Sequence, residues 1–404
     1  MRRISTTGFR IASRGTSREI NRQIAANLVR TKQPISRAEL ARLMGVRRGA
    51  ISRLVDDLLG SGLVFEGAKG ESVRGRKPMH LYIDTRRRCA LAADVNARRT
   101  ALMVTDLLGH PLLPVVDFPT PRRPSGLVRQ MVLRPRKILA EHREFGACVG
   151  LGVVVTGIVD VPGVRLRYSP TLDWHNVDLR EPLRLALKIP VVVENSVKAC
   201  ILAQVWAQRG DLPLDRPVAF VNVSDGVGVG IAVDGKLLRG AHNLAGEFGH
   251  VPLNVEGPEC SCGQRGCWEA YVSKRAVIAR YLGTDPSWAG ETEPKGASVD
   301  AIIARARSGE ARAIATLHET GVYLGLGLAN VVKAVDPGLI YVGGEITAGW
   351  DLLAETVRAS LRRHTLISEA GETEILTVPL SEHPRLRGAA ALVTVPAFAA
   401  PVVA

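Results

Sequence analysis

The run Gly246-Glu-Phe-Gly-His250 is followed, ten residues after its histidine, by Cys260-Ser-Cys262-Gly-Gln-Arg-Gly-Cys267-Trp-Glu269. One imidazole and three thiols at this spacing can close a tetrahedral zinc site. His250, Cys260, Cys262 and Cys267 are therefore candidate ligands for one structural Zn2+ per chain. Two carboxylates bracket the cluster, Glu247 before the histidine and Glu269 after the last cysteine. A metal here would fix the two acidic side chains relative to each other, which is a way to build a pocket for a polyol.

The remaining cysteines, Cys89, Cys148 and Cys200, sit in apolar stretches and read as small buried hydrophobes. The basic N-terminus lacks the apolar core of ~7–15 residues that a secretory signal needs. No uninterrupted apolar run reaches the ~18 residues of a membrane span. The expectation is a cytoplasmic chain without membrane contact, where thiols stay reduced and a cysteine cluster favours metal over disulfide.

Charge is placed unevenly along the 404 residues. Residues 1–88 hold 20 Lys/Arg against 7 Asp/Glu, a net of +13, and the rest carries +1. Arginine outnumbers lysine 43 to 10. That ratio looks like GC-rich coding, but a coding bias acts everywhere and does not explain a local excess. A cationic segment joined to a near-neutral body points to a polyanionic partner, most commonly DNA. The length leaves room for two or three domains.

Within the cationic segment, Ile20, Ile24 and Leu28 recur at helical spacing in residues 18–31. Pro34 ends that stretch, and Ser36 is placed to cap a helix over Arg37–Met44. Gly45 makes a tight turn, and a second helix is predicted from Arg47 to Leu59 with Ile51, Leu54, Val55 and Leu58 facing inward. Its outer face carries Arg47, Arg48, Ser52 and Arg53, the position of a recognition helix in a helix-turn-helix. Leu63-Val64-Phe65 and Leu81-Tyr82-Ile83 read as two strands of a wing. Between them Arg74-Gly-Arg76-Lys77-Pro78 could place arginine in a narrow minor groove or touch phosphates only. Candidate DNA contacts are thus Ser36, Arg47, Arg48, Ser52, Arg53, Arg74, Arg76 and Lys77. The expected organisation is a disordered basic leader over 1–17, a winged helix-turn-helix over 18–84, a hinge over 85–90 and an effector and oligomerisation body over 91–404.

The body has α/β texture. Strand-like runs fall at Leu91–Asp94, Ala101–Thr105, Val149–Val155, Val191–Glu194, Val218–Val223 and Ile340–Val342. Helical stretches fall at Val197–Gln208, Trp268–Tyr281, Arg312–Val335 and Leu352–Arg363, and residues 283–296 read as a surface excursion. The hairpin pattern of Leu91–Asp94 with Ala101–Thr105 recurs at Phe220–Val223 with Gly228–Val233. Two hairpin-led halves predict two lobes with a ligand cleft between them.

With these motifs in hand, the chain resembles the ROK-family transcriptional regulators, the group named for repressors, open reading frames and kinases. The resemblance rests on the winged helix, on Ser224-Asp-Gly-Val-Gly-Val-Gly-Ile231, on Gly246–His250, and on the Cys-x-Cys-Gly-x-x-Gly-Cys-x-Glu signature at 260–269. It implies a winged helix-turn-helix followed by a two-lobed actin/hexokinase-like body, a structural zinc, a sugar or sugar-derivative ligand, and assembly as a homodimer or dimer of dimers. Sugar-contact positions carried over from the family fall on Asn195, Glu247, His250 and Glu269, and zinc positions on His250, Cys260, Cys262 and Cys267. A dimer would read an inverted-repeat operator.

The sequence departs from the family's kinases at three places. Their first phosphate loop, Asp-x-Gly-x-Thr-Lys, is here Asp94-Val-Asn96-Ala-Arg98-Arg99. Their catalytic Asp, which follows the sugar-binding Asn, is here Ser196, no base at neutral pH. Their second phosphate loop, Gly-Thr-Gly, is Ser224-Asp225-Gly226. The expectation is a sugar-responsive regulator, a repressor of carbohydrate-metabolism genes, without catalysis. A regulator with residual sugar kinase activity, or a sensor of a partner protein or of a sugar phosphate held by Arg98 and Arg99, is the alternative.

Overall fold

The structure is a computed structural model and describes residues 14–69, 79–160, 165–207, 216–285 and 297–398. The first unit comprises α1 (Arg14–Lys32), β1 (Ile35–Ser36), α2 (Arg37–Met44), α3 (Arg48–Gly60), β2 (Val64–Lys69) and β3 (Met79–Ile83). Ser36 closes a capping box on α2: its hydroxyl accepts the Glu39 N–H at 3.2 Å, and Glu39 Oε2 accepts the Ser36 N–H at 2.8 Å. Gly45 ends α2 at φ 65°, a left-handed turn that a Cβ would strain. The buried face of α3 is Ile51, Leu54, Val55 and Leu58, packed on Ala25, Ala26 and Val29 of α1. Three strands in the order β1-β3-β2 complete a winged helix-turn-helix.

Two boundaries differ from expectation. Helix α1 starts at Arg14, so residues 14–17 are helical. Arg18 pairs with Asp57 of α3 at 2.6 Å and ties this first part of α1 down. Residues 1–13 lie outside the described residues, as do Arg74, Arg76 and Lys77 of the wing. The connection to the body is also shorter than a hinge over 85–90, because the next strand starts at Arg88.

The body consists of two lobes of one topology. In the first, β4 (Arg88–Val95), β5 (Arg99–Thr105) and β6 (Val116–Pro119) form an antiparallel meander. After α4 (Pro124–Glu141), β7 (Ala147–Val155) runs parallel to β4. A small sheet of β8 (Ile158–Val159), β9 (Arg165–Ser169) and β10 (Trp174–Asp178) follows, then α5 (Arg180–Leu187) and β11 (Val191–Asn195), which closes the order β11-β7-β4-β5-β6. Helix α6 (Ser196–Ala207) leads out.

The second lobe repeats the plan with β12 (Val218–Val223), β13 (Val227–Val233) and β14 (Lys236–Leu237) as its meander. The chain continues through α7 (Glu269–Val272), α8 (Lys274–Leu282), α9 (Val299–Arg307) and α10 (Ala311–Val335) to β15 (Leu339–Gly343). It then passes α11 (Trp350–His364) and α12 (Ser368–Gly371) to β16 (Glu374–Val378), giving the order β14-β13-β12-β15-β16. The recurring hairpins foreseen in the sequence lead the two sheets. The helix expected over Trp268–Tyr281 is instead α7 and α8, broken where Ser273 adopts extended backbone and caps α8.

The last helix, α13 (Pro384–Thr394), returns to the first lobe and packs on its sheet and on α6. Beyond it Phe398, 1% exposed, is part of the winged-helix core together with Leu107. The winged-helix unit is therefore docked on the body, with body residues completing its core.

Candidate functional site

Asn195 ends β11 and stands at the head of α6. Its Oδ1 accepts the N–H groups of Val197 (2.9 Å) and Lys198 (3.2 Å), and its Nδ2 donates to the Gly157 carbonyl at 2.9 Å. Both lone pairs of the amide oxygen are thus used as a helix cap, which leaves one N–H for a ligand. Ser196 is buried beside it in the first turn of α6.

From the other lobe, Glu247 precedes and His250 ends a short 3-10 turn over Phe248–His250. Burial pushes the Glu247 carboxyl above its usual range, with Glu269 adding to the effect, and His250 and Lys198 pull it back. Glu269 heads α7. Its Oε2 accepts the Val227 N–H at 2.9 Å and its Oε1 accepts the Ser261 hydroxyl at 2.8 Å. Oε1 also accepts from Cys260 Sγ at 3.6 Å, so the carboxylate ties the cysteine loop to the β12–β13 turn while Oε2 keeps a lone pair. Gly226 lets it do so, because a Cβ there would fall 2.6 Å from Glu269 Oε2. Trp268 fixes this corner from below, donating its indole N–H to the Tyr323 carbonyl at 3.0 Å on α10.

The four sequence-derived ligands come together. One donor atom from each of His250, Cys260, Cys262 and Cys267 lies within 4.8 Å of the others, so the group could hold a metal ion. Cys260 Sγ is 3.7 Å from His250 Nδ1, and Cys262 Sγ is 3.7 Å from Cys267 Sγ. Tetrahedral zinc with sulfur at ~2.3 Å implies edges of about 3.8 Å between sulfurs, close to the Cys262–Cys267 separation. Nδ1 faces the thiols, which leaves Nε2 as the other ring nitrogen for a ligand hydroxyl.

Sequence reasoning missed a second layer between the lobes. Lys198, 3% exposed, donates through Nζ to the Asn243 backbone carbonyl and, at 2.9 Å, to Asn243 Oδ1. Asn243, at φ 59°, donates its Nδ2 to the Val159 carbonyl at 2.7 Å. Arg239 pairs with buried Glu194. Desolvation lowers the Lys198 pKa, and the charges of Glu194 and Glu247 oppose that. A lysine inside the apolar run Val197–Ala207 was the available signal. The hydroxyls of Thr156 and Thr171, 3.0 Å apart, stand near the Gly157 carbonyl that Asn195 holds.

At the phosphate-loop positions the backbone is closed on itself. Asn96 Oδ1 accepts the N–H groups of Arg98 (3.1 Å) and Arg99 (3.0 Å), and the Ser224 N–H donates to the Gly226 carbonyl at 2.9 Å. Arg99 pairs with Asp117 at 3.1 Å.

On the winged-helix unit, Arg48 and Arg53 of α3 and its N-cap residue Arg47 are exposed, and their side chains bond to no other described residue. Ser52 is half-buried and its hydroxyl donates to the Arg48 carbonyl at 3.2 Å. Ser36 is buried and spent on the capping box, so it orients α2 and presents no free hydroxyl outward. Among the described residues no helix is long and apolar enough to cross a membrane.

The model of the ROK family matches residues 116–395. The chain is 25% identical over 386 residues to the xylose repressor of Bacillus spizizenii, covering 95% of this chain and 97% of the repressor. It is 30% identical over 285 residues to a glucokinase of Streptomyces coelicolor, covering 68% and 87%. Its fold superposes with a TM-score of 0.77, at 22% identity, on a crystal structure described as a ROK family transcriptional regulator homologous to the E. coli MLC protein, covering 94% and 97%.

Proposed function

The chain belongs to the ROK family, and from that premise we propose how it works as a sugar-responsive transcriptional regulator. Helix α3 reads DNA, the cleft at Asn195, Glu247, His250 and Glu269 binds a sugar, and the bound sugar is not phosphorylated. A structural zinc at His250, Cys260, Cys262 and Cys267 holds His250 and the cysteine loop in place. Glu247 and Glu269 accept from sugar hydroxyls, His250 presents Nε2, and Asn195 gives its remaining N–H.

One observation carries the loss of catalysis. The amide groups of Arg98 and Arg99, placed where a kinase's backbone would cradle phosphate, already donate to Asn96 Oδ1. ATP would have to displace that side chain. Ser196 in place of a carboxylate removes the base as well, worth roughly 10²–10⁴ in rate. The full-length likeness to a xylose repressor, winged helix included, supports the regulatory reading. The likeness to a glucokinase favours one rival, a regulator that keeps weak kinase activity.

A thermal-shift screen of the full chain with D-xylose, D-glucose and their phosphates, with and without ATP and Mg2+, separates the readings, together with a coupled kinase assay. A melting-temperature rise with a free sugar, no further rise with ATP, and no ADP release is the expected result. Turnover of any sugar tested would sink the non-catalytic reading.

A further inference from the structure

Helix α6 touches every part of the molecule that regulation has to connect. Its first turn is capped by Asn195 and carries Lys198, which bonds Asn243 of the opposite lobe. Along one side it lies on the second lobe. Val197 meets Gly228 and Gly230 of β13, where an added Cβ would come within 2.8 Å and 2.6 Å of it. Along another side it meets α13, where a Cβ on Gly388 would sit 2.5 Å from the Ala199 backbone. Helix α13 is seated on β7 just as closely, since a Cβ on Gly152 would fall 1.7 Å from the Ala389 carbonyl oxygen. Backbones this close leave no compliant side-chain layer, so displacement of α6 is passed on to its neighbours.

The other end of α6 is fastened to the DNA-binding unit. The Arg30 guanidinium of α1 lies 3.8 Å over the Trp206 ring and donates to the Trp206 carbonyl at 2.8 Å. Trp206 packs on Phe398 at 5.1 Å between centroids, and Asn27 of α1 donates to the Phe398 carbonyl at 2.6 Å. The end of α6 and the segment that follows α13 therefore meet on one face of α1. Twelve residues span about 18 Å at the usual helical rise.

We infer that α6, paired with α13, is the element that carries the effector state of the cleft to the winged helix, with Trp206 and Phe398 against Arg30 and Asn27 as its output contact. This rests on the reading of the cleft as a sugar site and adds its route of regulation. A change in the angle between the lobes moves the head of α6, and the Trp206 end moves α1, on which the recognition helix α3 is packed. The short 85–87 connection follows and does not lead.

Two measurements on the full chain test this. The first is sugar-induced change in affinity for a DNA site selected by the full chain, read with D-xylose and D-glucose. Trp206→Ala and the milder Arg30→Met should bind sugar within twofold of the parent by calorimetry while the sugar-induced change falls at least fivefold. A parent-like response in both variants overturns the inference. The second measurement needs no sugar. In Asn195→Ala, loss of the α6 cap should speed hydrogen exchange of Gln23–Lys32 by about fivefold, what one N-cap is worth. The same change placed in Trp206→Ala should add little. Unchanged exchange in α1 of Asn195→Ala overturns the route whether or not either sugar binds. Faster exchange in a chain that binds neither sugar would instead uphold the route and reject the sugar reading.

Discussion

Arg385 Nη2 lies 3.0 Å from Asp94 Oδ1, joining the first turn of α13 to the end of β4. The charged atoms are close, yet neither group has hydrogen-bond alignment with the other. Burial raises the Asp94 carboxyl above its usual range, and Arg385, then Arg99, pull it down. Arg385→Met would leave a buried carboxylate without its main counter-charge, at a cost of about 3–5 kcal/mol at pH 7.5. A carboxyl whose folded pKa exceeds its unfolded value carries its penalty above the folded pKa and sheds it as pH falls through that value. Urea unfolding should therefore show the variant's deficit shrinking from pH 7.5 to pH 5. An equal or larger deficit at pH 5 counts against this assignment.

The cysteine cage makes a prediction about metal. Protein purified under reducing conditions should contain about one zinc per chain by mass spectrometry. Cys262→Ser, which removes an exposed ligand without opening the core, should lower zinc content and the melting temperature together. It should also weaken sugar binding, because the loop bonded to Glu269 through Ser261 loses its anchor. Absence of zinc from the parent chain would reject the metal.

Much of this was legible in the chain. The caps and apolar spacing of residues 36–59 gave the helix-turn-helix because local hydrogen bonds and a helical stripe decide it. The strands of the body were readable where continuous apolar runs mark buried parallel sheet, as at Val149–Val155. The short strands β8–β10 and β14 were not, since segments of two to five residues carry no apolar pattern of their own even where they pair in local hairpins. The clustering of His250 with Cys260, Cys262 and Cys267 was readable because thiols in a tight run have few other uses. The Lys198–Asn243 brace was not, because 45 residues of chain separate its partners. The same limit hid Phe398 in the core of a domain that begins more than 370 residues earlier.

Glu247→Ala should separate sensing from DNA binding. The carboxylate belongs to the proposed sugar site, far along the chain from α3, and its removal relieves a buried acid. Operator affinity should stay within about threefold of the parent, while the sugar response, typically 5–150-fold for such coupling, should vanish. A variant that still released DNA on sugar addition would place the effector elsewhere, with Arg98 and Arg99 as the first positions to search.

On DNA, a dimer should protect an inverted repeat in footprinting. Arg53→Ala on the open side of α3 should relax base preference at about one position per half-site, by roughly 1–3 kcal/mol. Lys77→Ala in the wing should weaken all sequences alike and reduce the salt slope by about one per chain. Equal loss at every site for Arg53→Ala would assign that residue to phosphate instead.

The self-closed turn at Asn96 also bears on what kind of instrument this is. A kinase depletes the molecule it recognises, and its occupancy depends on nucleotide supply as well as on sugar. With the amides of Arg98 and Arg99 held by a side chain of the same hairpin, the non-catalytic site proposed above would be filled in a reversible equilibrium set by sugar alone. Transcription controlled in this way follows the standing level of the nutrient, independent of cellular energy charge, and relaxes as soon as that level falls.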